Sequence, residues 1–126
     1  PVLLRDVPFF SFCEHHLLPF FGTAAIGYIP AGFVVGASKL VRALEVLARR
    51  PQLQERLTHQ LADALYEALG PAGAGVVLSA EHLCLSLRGV QKPGSKVVTM
   101  ALRGDFTKSG LTPAQFLALL QGDMGR

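Results

Sequence analysis

Two cysteines in 126 residues, no tryptophan and a charged fraction of only 17% are what this sequence has least of. A small secreted scaffold stapled by disulfides carries more cysteine than this. A single Cys13–Cys84 bridge is the one such arrangement that the count leaves open. No apolar run approaches the roughly 18 residues of a spanning helix, which argues against a membrane. The twelve basic residues form no block. Nucleic-acid binding would want a stripe of Lys and Arg interleaved with aromatics, and here the Phe residues gather near the start instead. No signal peptide is visible, so a cytoplasmic protein is expected. The chain begins at Pro1 with no initiator Met, and an N-terminal segment removed or left out accounts for that.

What is abundant is apolar side chain, half of all residues, with a mean hydropathy of +0.38. The length suits one domain over residues 1–126. A domain this small has too much surface to bury that much apolar material alone. Cover by other copies of the chain is the expectation. A net charge of +3 and a pI of about 9.2 permit an anionic small substrate without demanding one.

No repeat, low-complexity stretch or linker interrupts the chain. Residues 1–19 read as irregular, with Pro8 and Pro19 bracketing the run Cys13-Glu14-His15-His16. Residues 20–29 read as a strand ending at Pro30, and 33–36 as a short second strand. Ser38 is placed to cap a helix reaching about Arg49, with Leu40, Leu44 and Leu47 at helical spacing and Pro51 as the stop. Leu53, Leu57, Leu61, Leu65 and Leu69 fall four apart and predict a second helix over 53–69, ended by Gly70-Pro71. Residues 75–90 and 97–106 alternate as strands around a turn at Pro93-Gly94. Thr112-Pro113-Ala114-Gln115 has the form of a capping box opening a last short helix. Strand–strand–helix–helix–strand–strand predicts an α+β fold, an antiparallel sheet with two helices on one face. The open edges of such a sheet again point to an oligomer.

Cys13, His16 and Cys84 are the candidate metal ligands. Three soft or borderline donors suit zinc, and three rather than four leave a position for water, as catalytic sites do. Adjacency alone does not decide between His15 and His16. Strand alternation puts His82, Cys84, Ser86 and Arg88 on one face, and Leu83, Leu85 and Leu87 on the other, against the helices. Glu14 reads as a turn carboxylate or a support to the metal. Lys39 and Arg42 read as one side of a helix, Gln54 and Glu55 as a helix start where a carboxylate suits the dipole. His59 reads as surface with no evident partner, and Arg49-Arg50 as complementing a helix C-terminus.

Four stretches then resemble a known family: Cys13-Glu14-His15-His16-Leu17-Leu18-Pro19-Phe20, Gly36-Ala37-Ser38-Lys39-Leu40, Gln52-Leu53-Gln54-Glu55-Arg56-Leu57-Thr58, and Glu81-His82-Leu83-Cys84 with Arg88-Gly89-Val90. In order and spacing they are similar to GTP cyclohydrolase I. The resemblance implies the tunnelling fold, in which ββααββ subunits close edge to edge into a barrel. It also implies a homo-oligomer, typically a decamer of two pentameric rings, with active sites at subunit interfaces. The implied reaction converts GTP and water to 7,8-dihydroneopterin triphosphate and formate, leading into folate and pterin biosynthesis. Cys13, His16 and Cys84 match the zinc ligands of the family. His15 and His82 match its proton-transfer histidines, and Glu55, with Gln54 beside it, its guanine-recognition pair. Ser38, Lys39, Arg42 and Arg88 match groups around the ribose and triphosphate. Two departures stand out. The helical N-terminal segment usual in the family is absent from this sequence, and Arg103 and Asp105 stand where apolar side chains are expected.

Two other readings compete. A sister tunnelling-fold enzyme acting on another pterin or a deazapurine would share the sheet and the purine-binding Glu, but not the Cys13, His16 and Cys84 set. A metal-stabilised module that binds a nucleotide or a partner without turnover would show binding and no product.

Overall fold

The computed structural model describes residues 1–32, 34–83 and 94–122. Five strands form one sheet in the order β3-β1-β2-β4-β5. They are β1 (Val2–Cys13), β2 (Pro19–Ile29), β3 (Pro51–Gln52), β4 (Gly73–His82) and β5 (Val97–Gly104). Pairings β1–β2, β2–β4 and β4–β5 are antiparallel, and the short β1–β3 contact is parallel. Helices α1 (Ala37–Ala48) and α2 (Gln54–Leu69) lie between β2 and β4 in sequence, and α3 (Pro113–Gln121) follows β5.

Strand alternation divides the sheet into two faces. Phe9, Phe20, Ala24, Ile26, Tyr28, Val76, Leu78 and Ala80 join the main core with α1 and α2. Helix α2 contributes Leu57, Leu61, Leu65 and Leu69, all buried, as the four-residue stripe predicts. Helix α1 contributes Leu40, Leu44 and Ala48. The helix-bearing face and the α+β class therefore agree with the sequence.

The opposite face carries α3. Phe116 and Leu120 are fully buried there with Ala25, Val77 and Phe106. They fit because the sheet beneath has no side chain: a Cβ on Gly75 would stand 2.8 Å from Leu120 and 2.9 Å from Phe116. The predicted capping box holds, with Gln115 N donating to Thr112 Oγ1 at 3.1 Å and Thr112 N donating to Gln115 Oε1 at 2.9 Å. Helix α3 covers one end of this face only. Phe10, Phe12, Phe21, Val98 and Met100 remain exposed, Phe10 at 55%.

Several boundaries differ from expectation. Residues 1–19 are not irregular, because Val2–Cys13 is the longest strand of the sheet. Pro8 is tolerated where β1 has a strand on one side only, since the missing N–H is needed just for a second neighbour. The strand expected at 33–36 does not form over 34–36, and Phe33 lies outside the described residues. Instead Tyr28 Oη accepts from Val35 N at 3.0 Å and holds the segment against the core. Ser38 is not the cap of α1. Gly36 is, with no side-chain hydrogen bond. Strand β4 runs over Gly73–His82, and Leu83 is not part of it. Residues 84–93 lie outside the described residues, and with them Cys84, Ser86 and Arg88.

Arg103 and Asp105 are accommodated by polar partners. Arg103 Nε donates to Asp63 Oδ1 at 2.7 Å, and Arg103 Nη2 to His59 Nδ1 at 2.9 Å. His59 is exposed as expected, but it has a partner. Asp105 Oδ1 accepts from Thr107 N, a hydrogen bond that lowers its pKa.

Candidate active site

The end of β1 delivers Cys13, and a tight turn brings the chain back to β2. Leu17 N donates to Cys13 O at 2.7 Å and Cys13 N to Leu18 O at 2.9 Å. Leu17 takes a left-handed backbone, φ +55°, uncommon for a branched apolar residue. This return holds Cys13 Sγ 3.9 Å from His16 Nδ1. Two donors on one tetrahedral zinc, with ordinary Zn–S and Zn–N bonds, stand about 3.6 Å apart. The pair therefore fits a zinc ion with little movement. Cys13 is a free thiol, not half of a disulfide. Among the described residues no third His, Cys, Asp or Glu completes a metal cluster, and Cys84 lies outside them. His15 and His16 are both exposed on the turn, their rings 6.4 Å apart. The contact to Cys13 is made by His16.

The turn is tied to the start of α2. Cys13 pairs with Gln52 in the short parallel ladder, and Glu14 N donates to Gln52 O at 2.9 Å. Glu14 also forms an ion pair with Arg56. Gln52 is buried, donating to Leu47 O and Gln60 Oε1, and accepting from Arg56 Nε. The β3–α2 junction thus sets where the candidate ligands sit relative to Gln54 and Glu55.

His82 ends β4 on the same face as Leu78 and Ala80. This corrects the expected orientation: it points toward the helices, not away from them. Its ring stacks on Phe20, with centroids 4.7 Å apart and planes 6° apart. Its Nε2 lies 2.6 Å from Gln54 Oε1. Burial pushes the His82 pKa down, and the Glu55 carboxylate works against that by favouring the charged ring.

Glu55 is exposed, whereas Gln54 is 1% exposed. The Gln54 amide is hydrogen-bonded within the chain. Its Nε2 donates to Val97 O at 2.9 Å, Thr99 Oγ1 at 3.0 Å and Leu78 O at 3.3 Å. Ser38, Lys39 and Arg42 are exposed at the start of α1, and Ser38 and Arg42 line a groove with Glu45 and Arg49. No hydrogen bond or ion pair among the described residues joins them to Cys13, His16, Gln54 or His82. The structure brings together Cys13 with His16, and Gln54 with His82 near Glu55.

Sequence reasoning missed Phe20, Gln52, Arg56 and Thr99 as parts of this site. Thr99 carried a signal, as a hydroxyl among apolar neighbours on a strand. The others were readable only through contacts distant in sequence.

Comparison with known proteins follows the same lines. Residues 1–121 match the family profile described as GTP cyclohydrolase I. The chain is 57% identical over 122 residues to a GTP cyclohydrolase 1 of Halalkalibacterium halodurans, covering 96% of this chain and 65% of that protein. It is 55% identical over 122 residues to one of Dehalococcoides mccartyi, covering 95% and 65%. The chain thus spans 65% of the length of these curated relatives. Among solved structures, the apo archaeosine synthase QueF-Like superposes with a TM-score of 0.63 at 21% identity, covering 82% of this chain and 95% of that one. At that identity the likeness is one of fold.

Proposed function

The chain belongs to the GTP cyclohydrolase I family, and from that premise we propose that it converts GTP and water to 7,8-dihydroneopterin triphosphate with release of formate, feeding folate and pterin biosynthesis. The observation that carries the reading is that the turn bearing Cys13 and His16 is tied to Gln52 and the His82 ring to Gln54, both at the α2 start that presents Glu55.

Cys13 and His16, with Cys84, are the residues that would hold zinc. When bound, zinc supplies a water whose pKa is lowered toward neutrality. His82 moves a proton at the guanine imidazole ring during its hydrolysis, a task that suits an imidazole, which can both give and take a proton. His15 serves proton transfer at the sugar as the ribose rearranges. Glu55 accepts from guanine N1–H and its exocyclic amine, a pair of donors that adenine does not offer. Ser38, Lys39, Arg42 and Arg88 bind the ribose and triphosphate, with charge-assisted bonds from the cations.

The exposed Phe10, Phe12, Phe21, Val98 and Met100 support a homo-oligomer, a decamer of two pentameric rings with a barrel built from the sheets. Among the described residues no helix is long and apolar enough to cross a membrane, and the cytoplasm is the proposed location. The deciding experiment incubates the protein with GTP and measures formate and bound zinc in one sample. Full turnover in metal-free protein, or zinc and GTP binding without formate, would overturn the reading.

A further inference from the structure

Three side chains behind His82, those of Gln54, Thr58 and Thr99, form one hydrogen-bond network whose direction is fixed by carbonyl oxygens. Val97 O and Leu78 O only accept, so the Gln54 atom facing them is the NH2 nitrogen. Its oxygen must then face the imidazole. Thr58 Oγ1 donates to Gln54 O at 2.8 Å. Its proton is therefore spent, and Thr99 Oγ1 is the donor across the 2.7 Å contact between the two hydroxyls. Thr99 Oγ1 in turn accepts from Gln54 Nε2 at 3.0 Å. Among the described residues no buried side-chain N or O lacks a partner. Reversing any bond of the chain would set a donor against a donor or an acceptor against an acceptor, a costly arrangement for buried groups.

We infer that Gln54 is a positioning residue for His82, backed by Thr99 and Thr58: its Oε1 accepts from the ring Nε2–H and so fixes the orientation in which the imidazole is presented. Phe20 restricts tilt from below, and the amide restricts rotation about the ring axis. Together they define a single ring orientation. This deepens the proposed activity and rests on it for its kinetic arm, while its spectroscopic arm does not.

The test compares the assembled, zinc-loaded protein with Gln54→Leu, Thr99→Val and Thr99→Ser. Formate release should fall in kcat by about 10- to 100-fold in Gln54→Leu, a part of the 10²–10⁴ that a positioned acid or base supplies. KM should stay within about threefold and zinc content unchanged, since the network is placed behind the ring. Thr99→Val should show a smaller fall in kcat, restored by Thr99→Ser, which keeps the hydroxyl. Nitrogen-15 spectra of histidine-labelled protein should place the His82 proton on Nε2, with His82→Gln identifying the signal, and Gln54→Leu should shift it. Parent kcat in both Gln54→Leu and Thr99→Val would overturn the inference. So would a kcat loss matched by lost zinc or lost folding, or a His82 proton on Nδ1 in the parent. If the parent itself releases no formate, the activity reading has failed, and the nitrogen-15 result alone decides the inference.

Discussion

Arg56, on the first turn of α2, forms an ion pair with Glu14, the residue that follows Cys13. The pair joins the turn holding the candidate metal ligands to the helix that presents Glu55. Both partners are partly open to water, so it contributes little to stability, about 1 kcal/mol or less. Its effect is on placement. Arg56→Ala should leave the melting temperature nearly unchanged and weaken zinc binding by up to about tenfold, the lower end of what outer contacts to a metal site contribute. Competition with a chromophoric chelator measures it, and unchanged affinity would remove the pair from any role at the metal.

Ligand and acid separate cleanly by metal content. Cys84→Ala and Cys13→Ala should lose both zinc and formate release, because two donors hold zinc poorly where three are needed. His82→Ala should keep zinc and lose turnover by about 10²–10⁴. Loss of zinc from His82→Ala would make that imidazole a ligand.

Glu55→Gln should weaken discrimination of GTP from ATP, since an amide offers one acceptor where a carboxylate offers two. The ratio of kcat/KM for the two nucleotides is the readout. An unchanged ratio would take Glu55 out of the base pocket.

Phe116→Ala should cost about 3–5 kcal/mol, the range for emptying a buried aromatic site. Phe116 is fully buried over Gly27 and Gly75, where nothing can collapse into the space from the sheet. Urea unfolding measures the loss. A cost below about 1 kcal/mol would mean that α3 is not integral to the fold.

Local patterns carried much of this fold. The leucine stripe of α2, the Gly70 stop and the Thr112 capping box are each written in a few neighbouring residues, and each stands as read. The failures have a common cause in long-range contact. Val2–Cys13 looks irregular because its charges and Pro8 mask a strand that exists through pairing with β2. Residues 34–36 look like a strand but are captured by the Tyr28 hydroxyl. The site divides the same way. Cys13 with His16 follows from spacing, whereas Gln54 behind His82 depends on a helix start meeting two strand ends. Ser38 invited a capping role that Gly36 fills, because a hydroxyl in the right place is not evidence of the bond.

The face-to-face stack of Phe20 on His82 gives one benzene ring two masters. It is completely enclosed among the leucines and valines between sheet and helices, and it is also the floor of the His82 imidazole, the proposed proton-transfer group. Drift at position 20 could not trade robustness against catalytic output, because a smaller ring would surrender both at once. Selection acting there sees a single trait.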